Sequence, residues 1–95
     1  MSDVTKVFAP QGALTMLSAA AVLEEGRRLA AEAPLAVDFA AVTAADSAAL
    51  ALILDWLRAA RAAGQRVVLR NLPAALISLA ALYDIDTLLP LEPKA

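Results

Sequence analysis

The sequence predicts an α/β domain, and three observations carry that expectation. Two short apolar runs of strand-forming residues, Leu35 to Phe39 and Val67 to Leu69, flank a long segment with helical spacing. Turn residues punctuate the changeovers, with Pro34 before the first run and Gly64 before the second. The chain has 95 residues, 61% of them hydrophobic, which is enough for one core and too short for two, so residues 1–95 read as a single domain.

The elements follow in order. Thr5 to Ala9 forms a first strand, with β-branched Thr5 and Val7 leading into Phe8, and Pro10 confines it to an edge because proline cannot donate to a ladder. Gly12 marks a turn or bulge before the short apolar piece Ala13 to Thr15. Ser18 is placed to cap a helix running to about Ala33, where Pro34 stops it. Val22, Leu29 and the intervening alanines give this helix an apolar stripe, and Glu24, Glu25, Arg27, Arg28 and Glu32 a solvated face. Leu35 to Phe39 reads as a buried central strand that Val42 and Thr43 extend after a bend. Asp46 and Ser47 open the strongest helix, which ends at Gly64, a residue suited to the position after a helix C-terminus. Val67 to Leu69 is a second central strand. Asn71 and Pro73 start a third helix through Tyr83, and Asp84 to Leu89 makes a final helical turn closed by Pro90.

Composition narrows the chemistry. The net charge is −2 and the basic residues are scattered, which argues against a nucleic-acid surface. There is no Cys and no His, so the usual zinc ligands, the thiolate nucleophile and the usual general base are missing. No metal, no cofactor and no catalytic residue is expected, and the chain reads as a binding module, not an enzyme. The longest charge-free run, Val7 to Leu23, is broken by Pro10, Gln11 and Gly12, so no direct membrane insertion is expected. No basic-then-apolar start precedes a small-residue cleavage site, and a cytoplasmic location is expected.

Four groups of residues are candidates for a functional surface. Ser47, at a helix start, either caps the helix, touches a partner or accepts a phosphate. Asp46 beside it is a second capping group favoured by the helix dipole, and Asp38 is a polar end to a buried strand. On the helix after Ser47, Leu50, Ile53, Leu54 and Leu57 form one stripe, while Leu52, Trp56, Ala59 and Ala63 form another on the opposite side. A helix apolar on two sides is either sandwiched in the domain or presents a contact surface. Full enclosure is hard in so short a chain, and Trp is enriched at interfaces, so Leu52 and Trp56 are candidates to face a partner, with a partly buried packing role for Trp56 as the equal alternative. Arg58, Arg61, Arg66 and Arg70 read as a solvated group, with Asp55 in reach of Arg58 along the helix. Leu82 and Tyr83 pack on the sheet edge or join the partner surface.

Taken together, these residues resemble the STAS domain (sulfate transporter and anti-sigma factor antagonist). The likeness lies in a buried strand ending at Asp38, a short link, and Asp46-Ser47-Ala48-Ala49-Leu50 opening a helix. It continues through Gly12 and Leu14, Ala62-Ala63-Gly64 before Val67-Val68-Leu69, Leu72-Pro73, and Leu79-Ala80-Ala81-Leu82-Tyr83. Within that family the chain is most similar to the small cytoplasmic STAS subunit of Mla-type phospholipid ABC transporters. The resemblance implies a mixed β-sheet of about four strands with helices mainly on one face, and a docking and control point at the start of the Asp46 helix. It implies a non-enzymatic regulatory subunit that binds the transporter's ATPase in the cytoplasm, reaching the inner face of the inner membrane through that partner. The alternative it implies is an anti-sigma factor antagonist whose kinase phosphorylates Ser47. A self-complementary Leu52–Trp56 face would instead give a homodimer. The sequence departs from the family pattern at Ala48, where a second hydroxyl is usual, and at Ala49, where glycine is usual. Its leading strand is also expected to be missing or rudimentary.

Overall fold

The computed structural model describes residues 5–92. The elements run β1 (Lys6–Phe8), β2 (Gly12–Leu14), α1 (Ala19–Glu32), β3 (Leu35–Asp38), β4 (Val42–Ala45), α2 (Ser47–Ala62), β5 (Val67–Arg70) and α3 (Ala74–Leu82), then a 3-10 turn at Asp86–Leu88. The leading strand discussed above would fall on residues 1–4, outside the described residues.

The main sheet has the order β1-β3-β5, and both of its pairings are parallel, with Phe8 opposite Val37 and Val37 opposite Leu69. β1 is an edge strand, as Pro10 requires. Backbone bonds between Leu69 and residues Pro90 and Glu92 lay the C-terminal segment along the other edge, at β5. β2 and β4 form a second, two-stranded parallel sheet. Val42 and Thr43 therefore belong to a separate strand and not to an extension of the central one. The pairing is irregular, with Thr43 of β4 the extra residue opposite the Gly12–Ala13 step of β2, and Gly12 sits at φ +79°, a conformation glycine takes without strain.

Two crossovers, through α1 from β1 to β3 and through α2 from β3 to β5, step the same way across the sheet. The right-handed sense of such crossovers sets both helices on one face, and α1 packs along α2. Alternate strand residues Phe8, Leu35, Val37, Val67 and Leu69 point into the space beneath them and join one core with Leu14, Phe39, Leu50, Ile53 and Leu76. Gly64, at φ +71°, ends α2 as expected.

The expectation that Leu52 and Trp56 form a partner surface is corrected here. Both are buried, and Trp56 is 0% exposed. α1 covers them because it presents only small residues at its buried positions, Gly26 and Ala30. The indole ring lies directly on Gly26. Its Nε1–H donates to the Leu23 carbonyl at 3.1 Å, and its ring meets Phe8 edge-to-face at 5.7 Å. α2 is thus sandwiched, one stripe against the sheet and the other against α1, and the Leu52–Trp56 face has no free surface with which to form a homodimer. Asp55 pairs across to Arg27 of α1 at 2.8 Å instead of along its own helix to Arg58.

Two core substitutions test this arrangement. Trp56→Ala is expected to destabilise the isolated chain by roughly 3–5 kcal/mol, as for large aromatic truncations in cores. Gly26→Ala raises helix propensity by about 1 kcal/mol, yet its new Cβ would overlap the Trp56 ring, so it too is expected to destabilise. Urea denaturation reads both, and a neutral or stabilised Gly26→Ala would contradict the packing.

Candidate functional site

Parallel strands joined by antiparallel crossover helices bring all the helix starts to one end of the sheet, beyond the strands' C-terminal ends. That end gathers the turn after β2, the start of α2, and the loops after β3 and β5.

Asp46 is extended, with φ −131° and ψ −165°, and its side chain accepts a hydrogen bond from the Ala48 N–H at 2.8 Å. It is therefore the helix cap, and Ser47 is the first helical residue. The expectation of Ser47 as the cap is corrected by one position. A carboxylate at the cap outcompetes the neighbouring hydroxyl for the free N–H groups because it carries the charge that the helix dipole favours. Ser47 is exposed, and its hydroxyl has no hydrogen-bond partner among the described residues. The Asp46 N–H donates to the Leu14 carbonyl at 3.3 Å, which ties the start of α2 to the end of β2.

Directly after that tie the chain turns through Thr15–Ser18. Ser18 does not cap α1 with its side chain. Its Oγ instead donates to the Ala13 carbonyl at 2.7 Å and accepts the Thr15 N–H at 3.1 Å. The Leu17 N–H reaches Thr15 Oγ1 at 3.4 Å. The turn so held carries Met16 at 81% exposure and Leu17 at 100%. Sequence reasoning missed this pair. The signal was present as two large apolar residues lying outside any strand or helix period.

Asp38 lies in the neighbouring loop. Its Oδ1 accepts the Ala40 N–H and the Asn71 side-chain amide, both at 2.9 Å. Asn71 holds φ +55°, a left-handed conformation asparagine tolerates. Asp38 thus fastens the loop after β3 to the loop after β5. The Asn71 amide, and then the Ala40 N–H, hold its carboxyl below the usual carboxylate range.

Other features lie elsewhere. Leu82 and Tyr83, at the far end of α3, are exposed rather than packed on the sheet. A cavity of about 430 Å³, lined by Pro34, Leu35, Gln65, Arg66 and Val68 among others, opens at the strands' N-terminal ends, away from Ser47. Among the described residues no group of three Asp, Glu, His or Cys side chains converges as a metal site would require.

Among the described residues, Ser47 on the first turn of α2 thus presents an exposed hydroxyl with no hydrogen-bond partner at this end of the α/β fold. Residues 1–90 match the family described as Mlab, STAS domain, and the chain belongs to that family. Comparison with curated proteins finds no match. In structure the chain is similar to the anti-sigma factor antagonist SpoIIAA in its unphosphorylated form, with a TM-score of 0.71 and 14% identity. That likeness covers 100% of this chain and 84% of the other, and it bears on the fold.

Two substitutions separate the roles of these residues. Asp46→Ala is expected to cost about 1 kcal/mol through the lost cap, and Ser47→Ala to leave stability nearly unchanged. Asn71→Gly keeps the left-handed backbone and removes the amide. A depressed carboxyl in the fold stabilises above its unfolded value of about 3.9, and that stability is lost as pH falls through the folded value. The gap between wild type and Asn71→Gly is therefore expected at neutral pH and should close in acid. A gap independent of pH, in denaturation at several pH values, would contradict the assigned role of Asp38.

Proposed function

We propose that the chain is a non-enzymatic regulatory subunit that docks on the cytoplasmic ATPase of an ABC-type phospholipid transport system, with the start of α2 at the contact. The observation that carries this reading is the match of residues 1–90 to the Mlab branch of the STAS family. The geometry supports it. Ser47 is exposed and unengaged, so a partner can use its hydroxyl without breaking the helix cap, which Asp46 supplies. The large apolar residues Leu50, Leu52, Ile53 and Trp56 of α2 are buried, so they are not available to a partner, whereas the first turn is. Regulation then amounts to unequal affinity for two states of the ATPase, because a subunit that binds both equally shifts neither. No described helix is long and apolar enough to cross a membrane, and on this reading the chain reaches the inner face of the inner membrane through its partner.

A second reading, an anti-sigma factor antagonist whose kinase phosphorylates Ser47, draws support from the structural likeness to SpoIIAA. A phosphate on Ser47 would stand beside the Asp46 carboxylate, which already accepts the Ala48 N–H. Like charges side by side and a donor already taken disfavour that product, so the ATPase is the preferred partner.

Ser47→Glu tests the contact. Glutamate in the first turn suits the helix dipole, so the chain is expected to stay folded with stability unchanged or slightly raised. Affinity for the purified ATPase is expected to fall at least tenfold, about 1.4 kcal/mol, in a calorimetric titration. Equal binding by wild type and variant would remove Ser47 from the contact. A mass gain of one phosphate with a cognate kinase and ATP would favour the second reading.

A further inference from the structure

We propose that the Thr15–Ser18 turn is a second anchor of the docking site, and that Met16 and Leu17 enter an apolar pocket of the ATPase flanked by a basic residue. The inference rests on the ATPase reading above and names the recognition that reading leaves open. Leu17 is fully exposed and Met16 nearly so, although each would gain from leaving water. Burial inside this fold is not open to them, because the turn is latched outward. Ser18 Oγ bridges Ala13 and Thr15, and the Leu17 N–H is held by the Thr15 hydroxyl. A turn held this way presents its apolar side chains with little ordering left to lose on binding.

Its position joins it to the Ser47 contact. Leu14, immediately before the turn, is paired with Ala45 and accepts the Asp46 N–H. One partner surface can therefore cover both.

Charge decides the chemistry of that surface. Among the described residues, the charged side chains at this end of the sheet include Asp46, Asp38, Glu25 and Arg70, and Arg70 is neutralised by Glu92 at 2.8 Å. The first cations of α1 after the turn, Arg27 and Arg28, lie beyond two turns of helix and are paired with Glu24, Asp55 and Glu32. The end is thus apolar and acidic, and its complement is apolar with Lys or Arg at the rim. Two copies of this chain meeting through it would set like charges against each other.

The test is titration of the purified ATPase subunit of the phospholipid transporter from the same cells with wild type, Leu17→Ser, Met16→Ser and Tyr83→Ser. The fully exposed Leu17 can be changed without disturbing the core, which a thermal melt checks. Leu17→Ser is expected to weaken binding tenfold or more and Met16→Ser several-fold, while Tyr83→Ser, at the opposite end of α3, binds as wild type does. Wild-type binding that survives in Leu17→Ser overturns this inference and leaves the ATPase reading standing. Absence of binding by the wild-type chain removes both. Concentration-dependent sedimentation lost in Leu17→Ser, with ATPase affinity unchanged, assigns the turn to a second copy and overturns the proposal.

Discussion

The fold depends on the seat of Trp56 against Gly26. A side chain at that point of α1 would collide with the indole, so the two helices approach this closely only because α1 has none there. The ring fills what the glycine leaves open, and its one polar atom is satisfied by the Leu23 carbonyl. A single large side chain thereby joins α1, α2 and, through Phe8, the edge strand of the sheet.

This seat also determines where function can reside. With α2 held between the sheet and α1, its Leu52 and Trp56 side is unavailable to a partner, while its first turn stays exposed at Ser47. The cap falls to Asp46, which frees the Ser47 hydroxyl. β2 and β4 then bring the outward turn of Met16 and Leu17 beside it. Internal packing of one half of the helix and presentation of its other end are consequences of the same enclosure.

Much of this was legible in the residues. Leu35 to Val37 is apolar without alternation and buried throughout, as a central strand flanked on both sides should be, and Gly64 ends α2 because its backbone is left-handed. The start of α2 and the STAS family were also readable, from Asp46-Ser47 and from the order of elements. What could not be read was which apolar stripe is covered by the chain itself. Periodicity shows that Leu52 and Trp56 share a face, but only the parallel order β1-β3-β5 brings α1 over it. The same limit applies at Ser18. Its type and place fit a cap, yet its hydroxyl donates to the Ala13 carbonyl of the preceding strand instead. Met16 and Leu17 stood out from every period, yet their exposure follows from that latch and from nothing local to the pair.

The central claim is that a partner covers the end of the domain formed by the start of α2 and the turn before α1. Hydrogen exchange of the chain with and without the purified ATPase, read by mass spectrometry, tests it most directly. Added protection in peptides covering residues 15–18 and 46–49, with residues 52–60 unchanged because α1 already covers them, is the result expected. Protection confined to the far end of α3 around Leu82 and Tyr83, with both segments at the Ser47 end unaltered, would contradict it.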